Sequence, residues 1–329
     1  MPKLHSTMPQ RLAAGAFALS VLMVPWSLVC AGRAIEERRP AAPQGSVEIV
    51  DLAGSIELIG WDRPEIEVAG TADEDVAGVD LKSSADRTSI RVTPRSGGAG
   101  RDAGSARLVV HVPAKSTVSA TLVSGDLKLS GVLGDVKLQT INGNVSGDAG
   151  GNLRASTVSG SVRMTARGAQ TIEVKTINGD IQLASSAGEI EVSTVSGNAK
   201  IDLGTLARGR FKTISGKLSA SLSLAPGARL EAESVSGTIG FDFPSVPAAD
   251  FDVQSFSGSI DNCFGPKPVE SSYGLGSRLT FRSGDGQARV RIETKSGDVH
   301  LCTGGAHREH VANAPEAAPK RWRDLLYVL

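Results

Sequence analysis

The sequence predicts an all-β protein: a single-stranded β-solenoid of about 18–21 residues per coil, with an irregular N-terminal β cap. Three observations predict it. A block of the form Thr-(Val/Ile)-(Ser/Asn)-Gly-x-(apolar) recurs down the chain. Apolar and polar residues alternate around each copy. Glycine is abundant, 38 of 329 residues, while aromatic residues make up only 4%.

The glycines of the block are Gly125, Gly143, Gly160, Gly179, Gly197, Gly216, Gly237, Gly258 and Gly297. Their spacing is 17 to 21 residues until the last interval, which is 39 and leaves room for one degenerate copy between Gly258 and Gly297. The residue before each glycine is Ser or Asn. One step earlier stand Val123, Ile141, Val158, Ile177, Val195, Ile214, Val235, Phe256 and Lys295. Two steps after it stand Leu127, Val145, Val162, Ile181, Ala199, Leu218, Ile239, Ile260 and Val299. The column directly after the glycine is mixed, with Asp126, Asp180 and Asp298 beside Asn144, Ser161 and Lys217, and reads as solvated turn residues.

The local structure follows from these residue types. Glycine tolerates positive φ, and Ser or Asn bonds nearby backbone groups, so the pair is a corner. Ile172, Val174 and Thr176 share one parity, with Glu173 and Lys175 on the other; Ile181 and Leu183 face away from Gln182. A period of two is a strand. A weaker turn falls midway, at Gly134-Asp135-Val136, Gly151-Asn152-Leu153 and Gly188-Glu189-Ile190, so each period holds two strands and two corners.

A meander of hairpins also satisfies strand, turn, strand. The recurring identities favour the solenoid, in which each residue stacks on its own copy in the next coil. Ladders between coils and stacked interior Ile, Val and Leu supply the stability, at about 25 cal/mol per Å² buried. At about 4.8 Å per coil the stack is a rod on the order of 50 Å long. On this reading Ile181→Asp buries a charge between coils, while Asp180→Ala is silent.

The flanks divide further. Residues 1–31 have the form of a signal peptide: Lys3 and Arg11, an apolar run from Leu12 to Val24, and small residues Val29-Cys30-Ala31 before Gly32. Its removal leaves Cys263 and Cys302, an even pair that reads as a disulfide in an oxidising compartment. Residues 32–44, with Pro40 and Pro43, read as a linker. Residues 45–121 read as a less regular β region that caps the coils of 122–302. Residues 303–329 read as a tail whose basic, apolar end is a candidate for peripheral membrane contact.

Several functions are excluded. Lys plus Arg equals Asp plus Glu, 35 each, so there is no basic excess for nucleic acid. His307 and His310 share a spacing suited to metal ligation, but lone Glu309 does not complete a set, and His5, His111 and His300 stand apart. The mixed column after the glycine does not supply calcium cages in register. Asp126, Asp180 and Asp298 lie coils apart, no Gly-x-Ser-x-Gly elbow has a histidine partner, and no phosphate or dinucleotide loop occurs. The expectation is no catalytic residue, no cofactor and no metal.

The copies from 121 to 299, with the Gly54-Ser-Ile-Glu-Leu-Ile-Gly-Trp-Asp run and the Leu108–Pro113 strand, resemble the bacterial putative-adhesin domain of unknown function, over about residues 45–302. The resemblance implies an exported, envelope-associated β-solenoid, adhesin-like and linked with envelope stress systems, with no catalytic motif to carry over. The expected function is a non-catalytic envelope scaffold or interaction protein whose partner is an envelope protein, a glycan or a second copy. The alternative is a polysaccharide-binding or polysaccharide-active β-helix.

Overall fold

A computed structural model describes residues 32–84, 86–95, 104–270 and 276–304. They belong to one compact unit. Residues 1–31, read from sequence as a signal peptide, the expected Gly97–Gly100 loop and the expected tail beyond Gly304 lie outside the described residues.

The described chain is all-β, and its strands form one continuous hydrogen-bonded sheet. Each repeat contributes one rung, named here by its glycine. The rung of Gly143 is Val136–Asn142 and Val145–Ala149; that of Gly160 is Leu153–Ser159 and Val162–Ala166; that of Gly179 is Thr171–Asn178 and Ile181–Ser185. Successive rungs pair parallel and in register: Leu138 with Ala155, Ala155 with Val174, Val174 with Val192. Equivalent residues therefore stack on their own copies, as the recurring columns require. The rungs of Gly197, Gly216 and Gly237 continue this order through the long strands Ala199–Ser215 and Leu218–Ser236, whose mutual ladder shifts register at the midway corner, between Asp202 and Thr205 and between Leu206 and Arg208.

The glycine is needed because of the neighbouring rung. A Cβ on Gly143 would lie 1.9 Å from the carbonyl oxygen of Gly125, and one on Gly160 would lie 1.9 Å from that of Gly143. Six consecutive members of the column, Gly125 to Gly216, also have φ between +129° and +155°, which disfavours other residues.

Both ends depart from chain order. Ser46–Trp61 is itself a rung, that of Gly54, and pairs parallel with Thr117–Val132, so the stack begins before residue 122 and no boundary falls at 121. Outside it lie Arg87–Pro94 and Ala106–Pro113, parallel to it, and then the antiparallel strands Val76–Ser83 and Glu65–Ala72. Arg33–Pro40, expected as a linker, is the outermost strand, antiparallel to Glu65–Ala72. Ile35 explains it: it packs against the core while charged neighbours face out.

At the other end, Gly258 and Gly297 are not separated by a degenerate copy. The residues between them include Ser277–Arg282, which pairs antiparallel with Ala249–Ser257 and closes the stack. The rung of Gly297 (Ala288–Ser296 and Val299–Thr303) then inserts between the rungs of Gly237 and Gly258, parallel to both. Phe211, Phe241, Phe243, Phe251, Phe264 and Phe281 pack around this end, with Phe251 stacked on Phe281 at 4.6 Å. Six of the eight phenylalanines thus gather where rung order changes and small side chains would leave space.

Candidate functional site

Around each glycine the side chains follow a fixed order. The threonine three positions before it points inward, with Thr140, Thr157 and Thr176 at 4–5% exposure. In three rungs its hydroxyl donates to the glycine carbonyl of the preceding rung, Thr157 Oγ1 to Gly143 O at 3.0 Å, Thr140 Oγ1 to Gly125 O at 3.3 Å and Thr176 Oγ1 to Gly160 O at 3.3 Å, whereas the buried hydroxyls of Thr194, Thr213 and Thr294 make no hydrogen bond among the described residues. A buried carbonyl at a corner is thereby satisfied, which valine could not do. In the rung of Gly54 this place is held by Asp51, 1% exposed, whose Oδ1 accepts from the backbone N–H of Leu52 at 2.7 Å and Ala53 at 3.3 Å. Burial raises its pKa to about 6, against the two hydrogen bonds, which lower it.

The next residue points outward. Both columns beside the glycine are apolar in sequence, but only the one after it, Leu127 to Val299, is interior. Val123, Ile141, Val158, Ile177, Val195, Ile214 and Val235 are exposed, as are Leu52 at one end and Phe256 at the other, over a range of 37–61%. Because rungs are in register, these residues form a single stripe, one per rung, each half-covered by its neighbours. Lys295 interrupts it between Val235 and Phe256, a consequence of the inserted rung. Near that end the stripe borders a groove of about 530 Å³ whose walls carry Lys212, Glu233, Glu293 and Lys295.

The column after the glycine is not merely solvated, which corrects the sequence reading. Asp126 Oδ1 accepts from the backbone N–H of Asn144 at 2.8 Å, Asn144 Oδ1 from that of Ser161 at 2.9 Å, Asp180 Oδ1 from that of Asn198 at 2.9 Å, and Asp298 Oδ1 from that of Ser259 at 2.9 Å. Asp and Asn recur because a short acceptor reaches the next rung's amide. The amide and hydroxyl of Ser259 hold the Asp298 carboxyl below its usual range. Asp126, Asp180 and Asp298 lie on separate rungs.

The remaining outward columns pair opposite charges, both across rungs and, for Lys175 with Glu173, along one strand. Arg154 meets Glu173 at 2.5 Å, Lys175 meets Glu173 at 2.6 Å and Glu191 at 3.3 Å, and Arg210 meets Glu231 at 3.0 Å. Hydrogen bonds from Lys175 and Arg154 lower the pKa of Glu173. The sheet presents alternating signs rather than a basic patch.

The cysteines occupy the inserted rung and its neighbour. Cys263 and Cys302 are disulfide-bonded with Cα atoms 4.9 Å apart, and the pair joins the end of Ile260–Asn262 to Val299–Thr303. Beside it His300 Nδ1 lies 3.6 Å from Asp261 Oδ2. On the same face a groove of about 450 Å³ is lined by Lys200, Lys217, Ser219, Asp242 and His300. His111 stacks on Trp61 at 4.7 Å, far along the chain from these groups. His5, His307, Glu309 and His310 lie outside the described residues. Among the described residues no helix is long and apolar enough to cross a membrane.

The geometry defines an all-β repeat protein of stacked parallel rungs. The Toastrack DUF4097 family model matches residues 90–302, well over half of the chain, and the protein belongs to that family. Among solved structures, a putative adhesin from Bacteroides fragilis NCTC 9343 is 12% identical, covering 82% of this chain and 97% of its own, with a TM-score of 0.43. A putative lipid binding protein from Parabacteroides distasonis ATCC 8503 is 13% identical, with 82% and 97% coverage and a TM-score of 0.33. A putative adhesin from Parabacteroides merdae ATCC 43184 is 11% identical, with 82% and 96% coverage and a TM-score of 0.30. No curated protein matches the sequence.

Proposed function

We propose that the chain is a non-catalytic, exported, adhesin-like interaction protein of the cell envelope, built as a single-stranded β-solenoid. The observation that carries this reading is the exposed stripe from Leu52 to Val235. A soluble surface rarely keeps so long an apolar row unless something covers it. Its aliphatic character suits a protein or lipid-like partner, since sugar rings prefer aromatic platforms. The disulfide and the leader-like residues 1–31 support export to an oxidising compartment.

The test uses the triple substitution Ile141→Lys, Ile177→Lys and Ile214→Lys in labelled protein added to isolated cell envelopes. The expected result is loss of retention with unchanged thermal unfolding. Full retention by the variant overturns the stripe as the contact surface. A second reading, a polysaccharide-binding or polysaccharide-active protein, is favoured by the groove that carries Lys200, Lys217 and His300 on its walls. Release of reducing ends from envelope glycans by purified protein would replace the first reading with the second. Light scattering separates self-association from binding to another partner.

A further inference from the structure

The insertion of the Gly297 rung beside the Gly258 rung brings together two short patterns that lie far apart in sequence, Asp261-x-Cys263 and His300-x-Cys302. His300 and Cys302, two apart on Val299–Thr303, share a face, and Cys263 directly follows Ile260–Asn262. Asp261 stands opposite His300 in the parallel ladder, and the backbone N–H of Cys263 donates to the carbonyl of Leu301 at 2.9 Å, which sets Cys263 beside Cys302. The four side chains therefore occupy the corners of a small square on the outer face. One carboxylate oxygen of Asp261 and the two sulfurs lie within 4.8 Å of one another, and His300 Nδ1 is 3.6 Å from the Asp261 carboxylate.

We propose that these residues form a redox-gated site for a thiophilic divalent cation, zinc foremost, that opens when the disulfide is reduced. Two thiolates, an imidazole and a carboxylate are the donors that zinc takes, at about 2.3 Å from sulfur and about 2.0–2.2 Å from nitrogen or oxygen. Tetrahedral ligands at those lengths stand about 3.3–3.8 Å apart, so small side-chain rotations close the square. Magnesium and calcium, which require oxygen donors throughout, do not fit it. The site is open to solvent at exposed Asp261 and Cys263, while Cys302 is 5% exposed and anchors the inner corner. Asp242 stands in register with Cys302 on its other side and adds a further carboxylate to the surroundings.

The chemistry is an exchange in two steps. A dithiol reductant transfers two electrons and two protons to the Cys263–Cys302 bond, leaving two thiols and becoming a disulfide itself. The cation then displaces two protons to form two metal–thiolate bonds. Bridge and metal exclude one another because they use the same sulfur atoms. Each ties the end of the Gly258 rung to the inserted rung, so the closure of the stack survives the change of redox state.

Cobalt(II) titration of the full chain tests this, after chelator treatment and reduction by a phosphine under anaerobic conditions. The expected result is a near-ultraviolet thiolate-to-cobalt band with the intense visible bands of a tetrahedral ion, saturating at one equivalent and displaced by zinc. His307 and His310 cannot produce the thiolate band. The oxidised protein is expected to give none. His300→Ala and Asp261→Asn keep both cysteines, so their oxidised forms report folding independently. Each is expected to weaken zinc binding by at least about tenfold, the loss that even an outer-shell partner causes. Absence of the band in reduced protein, or equal affinity in wild type and both variants, overturns the four-residue site.

Discussion

Ser236 pairs in register with Ser296, not with Ser257, the next copy of its motif along the chain. The last rung made is therefore not the last in the stack. Ala249–Ser257 could pair with Leu218–Ser236 directly, since the columns are equivalent, and only the arrival of Ala288–Ser296 separates them. The disulfide holds this insertion, since Cys263 belongs to the outer rung and Cys302 to the inserted one. Reduction in metal-free buffer is expected to destabilise the closure by up to about 4 kcal/mol in the chain-entropy model for a separation of 39 residues. Hydrogen exchange should then accelerate first in Ala249–Asn262 and Ser277–Arg282. Uniform acceleration along the stack would contradict this.

The glycine column makes a sharp prediction. In Gly179→Ala the new Cβ would lie 2.0 Å from the Gly160 carbonyl oxygen, so two rungs must separate. The expected cost is roughly 2–4 kcal/mol in a urea melt. Gly78→Ala, with nothing within 4 Å of the added carbon, is the control and should be near neutral.

Ile181 is fully buried between rungs, and Ile181→Asp is expected to cost several kcal/mol. Asp180→Ala is not expected to be silent. It removes the acceptor of the Asn198 amide, and a loss of about 1 kcal/mol should appear, restored by Asp180→Asn.

Asp51 gives a pH dependence. Its pKa of about 6 in the folded chain lies above the ordinary 3.8. Between these values the folded state keeps a proton that the unfolded state has released. Its contribution to stability is thus complete below the lower value and is lost as pH rises through the upper one. Wild type is expected to lose on the order of 2–3 kcal/mol relative to Asp51→Asn between about pH 4 and about pH 7. Parallel denaturation profiles for the two proteins would disprove it.

The stripe should be energetically idle in the isolated chain. Ile177→Thr is expected to change stability by no more than about 0.5 kcal/mol. Thr176→Val, one position away, loses the hydrogen bond to Gly160 and should cost about 1 kcal/mol despite being more apolar.

The repeat was legible because stacking makes each column obey one constraint. Gly, Thr and the interior Val or Ile recur in sequence for the reason they recur in space. The stripe was harder to read. Ile141 and Val145 look alike in sequence, and only the corner, which points Ile141 and Asn142 outward in succession, separates them. The ends were not legible. Nothing in Ala288–Ser296 distinguishes a rung added at the end from one inserted, because its apolar columns match both neighbours. Arg33–Pro40 carries too few apolar residues to announce a strand, and its pairing depends on the distant edge of Glu65–Ala72. The square at Asp261, Cys263, His300 and Cys302 escaped for the same reason, since it exists only through the insertion.

The out-of-order closure also governs how such a molecule can lengthen. A duplicated segment placed between Val136 and Ser215 meets identical partners above and below and needs no adjustment elsewhere. A copy appended after Cys302 finds its place already taken, with the aromatic plug and the antiparallel lid beyond it. Growth in this architecture is interior, so the two ends of the stack stay as fixed fittings while the span between them is free to change.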